Sequence, residues 1–341
     1  MKRFSGKITG GIMSRAKTVI LLLAGVSVII FMMHLAGIGE VIDVLYHARP
    51  IVVLAAACQV IAILLWSLRW KILLRPFQPV TFTTVIKGIL IGMFFSNITP
   101  VARAGGEPFR AYYMEKKAHI PIEDAFATVV VDRILDSIPF MVIIAIFLTY
   151  FALRMEISTQ MMIILSLVFF FNLFLLSLVL YFSLNVKAAK KLVNLLLRLV
   201  SKFFKRAEDY QERIEVAVDQ YHNALRKFSS QKRNLMYSLS VSFVFWFFLI
   251  LRCYLVVAAL GYHMPFMGVA VVQTAGPLVG ILPLLPGGVG SVDGTMVFLY
   301  ISFDFTTVAG VSISLVDRFL SFWLPTIIGG LCVFVERDFL K

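Results

Sequence analysis

The chain has 341 residues, of which 60% are hydrophobic and only 15% charged. A soluble domain carries about a quarter charged residues, so composition excludes a soluble globular protein and points to a polytopic membrane protein. The net charge of +13 falls mainly in segments between apolar runs, which is the pattern of cytoplasmic loops rather than of nucleic-acid binding.

Lys2, Arg3, Lys7, Arg15 and Lys17 precede an apolar run over about 18–38. That run is too long for a signal-peptide core and ends without a cleavage site, so it reads as a retained span. Further runs of spanning length lie near 51–69, 125–153, 160–184, 235–260 and 307–334. Two more apolar stretches, about 82–100 and 266–286, stop at proline and glycine and are each followed by a short helical piece, 108–117 and 291–302. A break at membrane depth exposes backbone polar groups and is tolerated only inside protein or against a wet cavity. The expected fold is therefore all-α, with about six full spans and two re-entrant hairpins in one integral domain over 1–341.

The segment 185–234 differs from its surroundings. It holds twelve basic and five acidic residues. Tyr210, Ile214, Val218, Tyr221, Leu225 and Phe228 recur at helical steps, as do Leu192, Leu196, Leu199 and Phe203. The prediction is a basic cytoplasmic insertion of one or two amphipathic helices at the membrane interface.

With the N-terminus in the cytoplasm, the segments 1–17, 69–87, 107–124, 185–234 and 335–341 hold 26 of the 32 basic residues. External loops hold only Arg49 and Arg154, and Arg103, Arg133, Arg252 and Arg318 fall at membrane depth. The positive-inside rule then places both termini in the cytoplasm and the protein in the cell membrane. It also gives 18–153 and 160–334 opposite orientations, each reading span, span, hairpin, span. This is the inverted-topology repeat of many transporters.

A short phrase marks both repeats. Gly105-Gly106-Glu107-Pro108 is followed by Asp132-Arg133 and Pro139. Pro286-Gly287-Gly288-Val289-Gly290 is followed by Asp317-Arg318 and Pro325. A charge near the bilayer centre costs about 2.5–3.5 kcal/mol on insertion scales, so such residues face protein or water. Asp132 and Asp136 share a helix face and repel unless a cation bridges them; Arg133, three residues from Asp136, is within reach. Arg103 and Arg318 are alternative partners for Asp132.

At the hairpin tips Pro108 suits a first helical turn, and Ser291 can cap a helix beginning after Gly290. Free N–H groups there would attract an anion, which glycines let approach closely. The candidate phosphate-binding residues are Arg103, Gly105, Gly106, Arg110, Arg133, Gly287, Gly288, Gly290 and Arg318. Glu107, Asp132, Asp136, Asp293 and Asp317 are candidates for charge balance or proton coupling. Asn97, Thr99 and Gln273 are polar neighbours of the tips, of a kind that usually satisfies nearby backbone. The histidines and the three cysteines have no metal or disulfide spacing, so no metal, cofactor or catalytic group is expected.

The stretch Asn97–Tyr112, the downstream Val131-Asp132-Arg133 and the later Leu284-Leu285-Pro286-Gly287-Gly288-Val289-Gly290-Ser291-Val292-Asp293 together resemble the lysylphosphatidylglycerol synthase transmembrane, or flippase-like, family. The resemblance covers nearly the whole chain. Asp293 stands where the family often has glutamate, which retains a carboxylate. The resemblance implies a membrane flippase part. Ending at Lys341, the chain has no room for the soluble aminoacyl-transferase domain of the large members, so aminoacylation is not carried over.

The expected function is translocation of an anionic phospholipid or a polyprenyl-phosphate-linked headgroup between leaflets, without enzymatic chemistry. One alternative is a membrane-embedded transferase that modifies a lipid, with Glu107 or Asp132 as base. The other is a non-catalytic membrane partner that docks a separate soluble transferase.

Overall fold

The computed structural model describes residues 30–31, 34, 37–99, 105–154, 159–201, 211–279 and 288–340. The expected first span, Arg103, Gly287 and the turn of the second hairpin lie outside these or largely so. Every element among the described residues is helical. They are α1 (Ile38–Tyr46), α2 (Val52–Leu74), α3 (Phe82–Ile98), α4 (Glu107–Ala118), α5 (Ile122–Arg154), α6 (Thr159–Leu184), α7 (Val186–Ser201) and α8 (Gln211–Ser229). Then come α9 (Lys232–Ala259), α10 (Phe266–Val279), α11 (Ser291–Ser302), α12 (Thr307–Arg318) and α13 (Leu324–Val335). The architecture is all-α and polytopic.

Among the described residues, three helical segments are long and apolar enough to cross a membrane: Val52–Leu74, Lys232–Ala259 and Thr307–Val335. The first has 23 residues; at 1.5 Å per residue it is about 34 Å long, enough for a hydrocarbon core of about 30 Å. It continues past the expected end of its span to Leu74. Arg69 therefore lies inside a helix, where it is fully buried.

The chain divides into two compact units. One comprises 1–64, 86–109 and 245–341. In it α3 and α13 pack antiparallel: Lys87 pairs with Glu336 at 2.6 Å, Phe94 lies against Gly330, and Asn97 donates to Thr326 at 2.6 Å. The Leu90 carbonyl sits where a side chain at Gly329 would be. α1, α11 and α12 meet at Val41, Val297 and Val311. Gly276 of α10 receives Met296 of α11, closing the second hairpin.

α12 and α13 are joined by a π-helical turn, Phe319–Trp323. α5 carries Pro139 inside an unbroken helix. Pro139 follows Asp132 by seven residues and Pro325 follows Asp317 by eight, so the π turn takes up one extra residue.

The other unit comprises 65–85 and 110–244. α4 has Glu107 in its first turn and Lys116 and Lys117 in its last, matching the helix dipole. α6 and α7 meet at a 105° bend. Asn185 creates it: its Oδ1 accepts from the Ala188 N–H at 3.0 Å, capping a new helix. The predicted insertion thus forms two helices, α7 and α8, with 202–210 outside the described residues.

Of the stripe on α8, Val218, Tyr221 and Leu225 are half-buried and Phe228 is buried. Tyr221 packs on Phe126 with ring centroids 6.2 Å apart, and Phe228 on Phe77 at 5.7 Å. Burial pushes the Tyr221 phenol above its usual pKa, against the pull of its hydrogen bond to Ser183. α7 keeps an apolar residue open, Leu195 at 55% exposure.

Candidate functional site

Each unit contains a buried arginine–aspartate cluster built on one of the repeated Asp-Arg pairs. In the unit of Asp132, helical spacing puts Trp66, Arg69 and Trp70 together on α2, and Thr128, Asp132 and Asp136 together on α5. Trp70 Nε1 donates to Thr128 Oγ1 at 2.9 Å. Arg69 Nε donates to Asp132 Oδ1 at 2.6 Å, and its Nη1 donates to Asp136 Oδ1 at 2.9 Å and Ser242 Oγ at 2.8 Å. Arg69 is therefore the cation that bridges the two carboxylates.

Asp132 Oδ2 accepts from Trp66 Nε1 at 2.8 Å and from Arg110 Nη2 at 3.0 Å. The Arg110 guanidinium also lies 4.2 Å from the Trp70 ring centroid and 5.1 Å from that of Trp66. Arg133 reaches Asp136 as the spacing predicts, with Nη1 to Oδ2 at 3.8 Å. Its guanidinium lies 5.1 Å from the Trp66 ring centroid, and its side chain is 36% exposed. Asp132 is wholly buried, and its three donors supply the compensation that a buried carboxylate requires.

In the unit of Asp317, Arg252 of α9 makes a two-pronged pair: Nε to Asp317 Oδ1 at 2.9 Å and Nη2 to Oδ2 at 3.0 Å. Its Nη1 donates to Gln59 Oε1 at 2.6 Å and its Nη2 to Gln273 Oε1 at 3.2 Å. Arg318 Nε donates to Asp293 Oδ1 at 3.2 Å, and its guanidinium lies 4.3 Å from the Phe322 ring centroid.

The glycines of the first tip are fixed by close approach. A side chain at Gly105 would meet Thr99, and one at Gly106 would meet the Gly92 carbonyl. Gly106 N–H donates to Ser96 Oγ at 3.0 Å. Thr99 Oγ1 bonds the Phe95 carbonyl. Glu107 opens α4 and is buried, with Pro108 second, as expected.

At the second tip the cap differs from the expectation. Gly290, with φ 83°, is the capping residue, and Asp293 Oδ2 accepts from its N–H at 2.8 Å. Ser291 is the first helical residue and donates to the Gly288 carbonyl at 3.2 Å. The backbone needs left-handed φ at both 288 and 290, which glycine adopts and serine does not. Asp293 thus fastens the tip and receives Arg318.

Of the predicted polar residues, the structure gathers Arg110, Arg133, Asp132 and Asp136 in one cluster and Arg318, Asp293, Asp317 and Gln273 in the other. Sequence reading missed Trp66, Arg69, Trp70 and Gln59. The available signal was spacing: Arg69 precedes Asp132 by 63 residues, and Arg252 precedes Asp317 by 65. Among the described residues no group of three or more His, Cys, Asp or Glu side chains is arranged to hold a metal ion.

The model of the family described as the lysylphosphatidylglycerol synthase TM region matches residues 18–329. A UPF0104 membrane protein of Methanothermobacter thermautotrophicus is 33% identical over 318 residues, 92% of this chain and 94% of that one. One from Pyrococcus horikoshii is 30% identical over 332 residues, 95% and 98% of the two chains. A third, from Methanocaldococcus jannaschii, is 29% identical over 324 residues, 94% and 95%. No solved structure matches the chain. The chain is a membrane protein and belongs to the family of the lysylphosphatidylglycerol synthase transmembrane region.

Proposed function

We propose that the chain moves an anionic lipid between leaflets and does not itself modify it. The observation that carries this reading is the placing of four aspartates and five arginines in buried or half-buried clusters of a chain that is 60% hydrophobic. A bundle that only had to hold together could use apolar packing, since replacing a buried ion pair by hydrophobic residues is often neutral or stabilising. Ionisable groups kept at membrane depth mark substrate paths. Here a headgroup phosphate would exchange hydration for guanidinium donors.

The repeated bond from an arginine Nε to an aspartate Oδ1, at nearly equal chain separation, supports an inverted repeat. The excess of basic residues in 1–17 and 185–234 supports cytoplasmic termini in a plasma membrane. The 105° bend before α7 and the exposed Leu195 support an interfacial α7.

The test is translocation of a fluorescent anionic phospholipid in proteoliposomes, read by dithionite quenching. The wild-type protein should accelerate it well above protein-free vesicles, and the Arg133→Ala/Arg318→Ala double variant should not. Equal rates for the two proteins would refute the assignment of the phosphate to these clusters. Lipid product formed from added sugar or aminoacyl donors would refute the non-enzymatic reading.

A further inference from the structure

Lys187, Lys190 and Lys191 all stand on α7 but meet different surroundings. Lys190 Nζ pairs with Asp219 of α8 at 2.7 Å, and one turn on Asn194 Nδ2 donates to Glu215 Oε1 at 3.4 Å. Lys187 and Lys191 are exposed and make no ion pair among the described residues. Counted at about 100° per residue from the face that meets α8, Lys187 and Lys191 come next and Leu195 lies beyond them. Leu195 is exposed, and so is Leu184 at the preceding bend, at 82%. The outward face of α7 therefore combines cations with open apolar side chains.

That face is held from behind. The bend before α7 is closed by the Asn185 cap and by α8. His222 places Nδ1 2.8 Å from the Val218 carbonyl oxygen and Nε2 3.1 Å from that of Phe182, near the end of α6. Ser183 bonds Tyr221 at 3.2 Å. α8 in turn is seated on α5, with Lys227 3.7 Å from Asp124 and Tyr221 against Phe126. α6 gives the direction of the membrane. Its residues Ile163, Leu167, Phe170, Phe174, Leu178 and Tyr181 form an exposed stripe. The stripe is about 27 Å long, close to a hydrocarbon thickness of about 30 Å. A helix turned 105° from such a stripe runs along the bilayer surface.

We propose that the outward face of α7 binds the anionic phospholipid headgroups of the leaflet it lies on. Lys187 and Lys191 meet headgroup phosphates, and Leu195 enters the acyl boundary. The inference rests on the interfacial placing of α7 given above, and not on lipid movement. Lysine stems lie along apolar surface while their ammonium groups stay at headgroup level. Attraction to an anionic surface makes the two lysines together worth a lipid preference of about fivefold or more at low salt. Leu184 joins this face to the exposed stripe of α6, so both surfaces meet one medium. That continuity favours lipid over an acidic soluble partner.

The experiment uses full-length protein, cysteine-free except for a fluorophore on Leu195→Cys, in phosphatidylcholine vesicles. The quencher is a nitroxide high on the acyl chain of either phosphatidylcholine or phosphatidylglycerol. At equal mole fraction and low salt, phosphatidylglycerol should quench about fivefold more strongly or better, and high salt should reduce that preference. Lys187→Gln/Lys191→Gln should bring the two lipids within about twofold, whereas Lys187→Arg/Lys191→Arg should keep the preference. Lys190→Gln, whose lysine is already taken by Asp219, should change it by less than about twofold. Fluorescence-detected size exclusion confirms that each variant tested is folded. Equal quenching by both lipids in the wild type overturns the headgroup binding and leaves α7 at the interface. Quenching by neither, the result for a face that docks a soluble partner, overturns both. An unchanged preference in folded Lys187→Gln/Lys191→Gln overturns the assignment to these lysines.

Discussion

Replacing Arg252 by methionine tests whether the second cluster holds its unit together. The substitution keeps most of the side-chain volume but removes four hydrogen bonds, two of them to Asp317. The Asp317 side chain is 3% exposed, so its carboxylate stays buried without its countercharge. Removing one partner of a buried pair costs about 3–5 kcal/mol. With the soluble-domain scaling of about 2–4 °C per kcal/mol, the melting temperature should fall by about 6–20 °C. Replacing both partners, Arg252→Met with Asp317→Leu, leaves no buried charge and should recover at least half of that loss, the remainder reflecting Gln59 and Gln273. The assay is thermal unfolding of detergent-purified protein followed by fluorescence-detected size exclusion. A single variant within 2 °C of wild type, or a double variant as unstable as the single, would refute the reasoning.

Gly106→Ala should lower the yield of folded protein and cost about 1–3 kcal/mol or more, because its new methyl meets the backbone carbonyl of Gly92. Gly294→Ala, in the interior of α11 with open space around it, should be neutral or stabilise by up to about 1 kcal/mol; thermal melts of the pair check both. Asp293→Asn retains an oxygen that can accept from Gly290, so Asp293→Ala should be less stable than Asp293→Asn by about 1 kcal/mol. Phe228→Ala should cost about 3–5 kcal/mol and raise proteolytic cleavage around α8, as expected for a buried aromatic against Phe77. In a cysteine-free background, Arg49→Cys should react with an impermeant thiol reagent added outside cells, and Lys187→Cys only after permeabilisation. The reverse pattern would invert the topology.

Much of this site was legible in the sequence because polar residues inside apolar runs stand out. Asp132, Arg133, Asp317 and Arg318 were visible as charges where hydrocarbon is expected, and the need for a cation between Asp132 and Asp136 followed from their spacing. Arg69 was not legible in the same way. It lies near the end of an apolar run, and a charge tally assigns such a residue to the adjoining loop. Its partner is 63 residues away, beyond any local pattern. The tip of the second hairpin shows the same limit. Residue type favours Ser291 as the cap, but backbone conformation decides, and the left-handed φ at 290 passes the role to Gly290 and Asp293.

The wide turn at Phe319–Trp323 sets the rotation between α12 and α13. A single added residue in an α-helix rotates everything beyond it by about 100°. Absorbed as one π-helical loop, it instead lets α13 keep its contacts with α3 while Asp317 and Arg318 keep theirs. α5, which carries Pro139, is helical throughout and has no such slack. Shortening 319–323 by one residue should convert that loop to regular helix and bring Pro325 into the spacing of Pro139. Either α13 or the Asp-Arg pair would then turn away from its present neighbours.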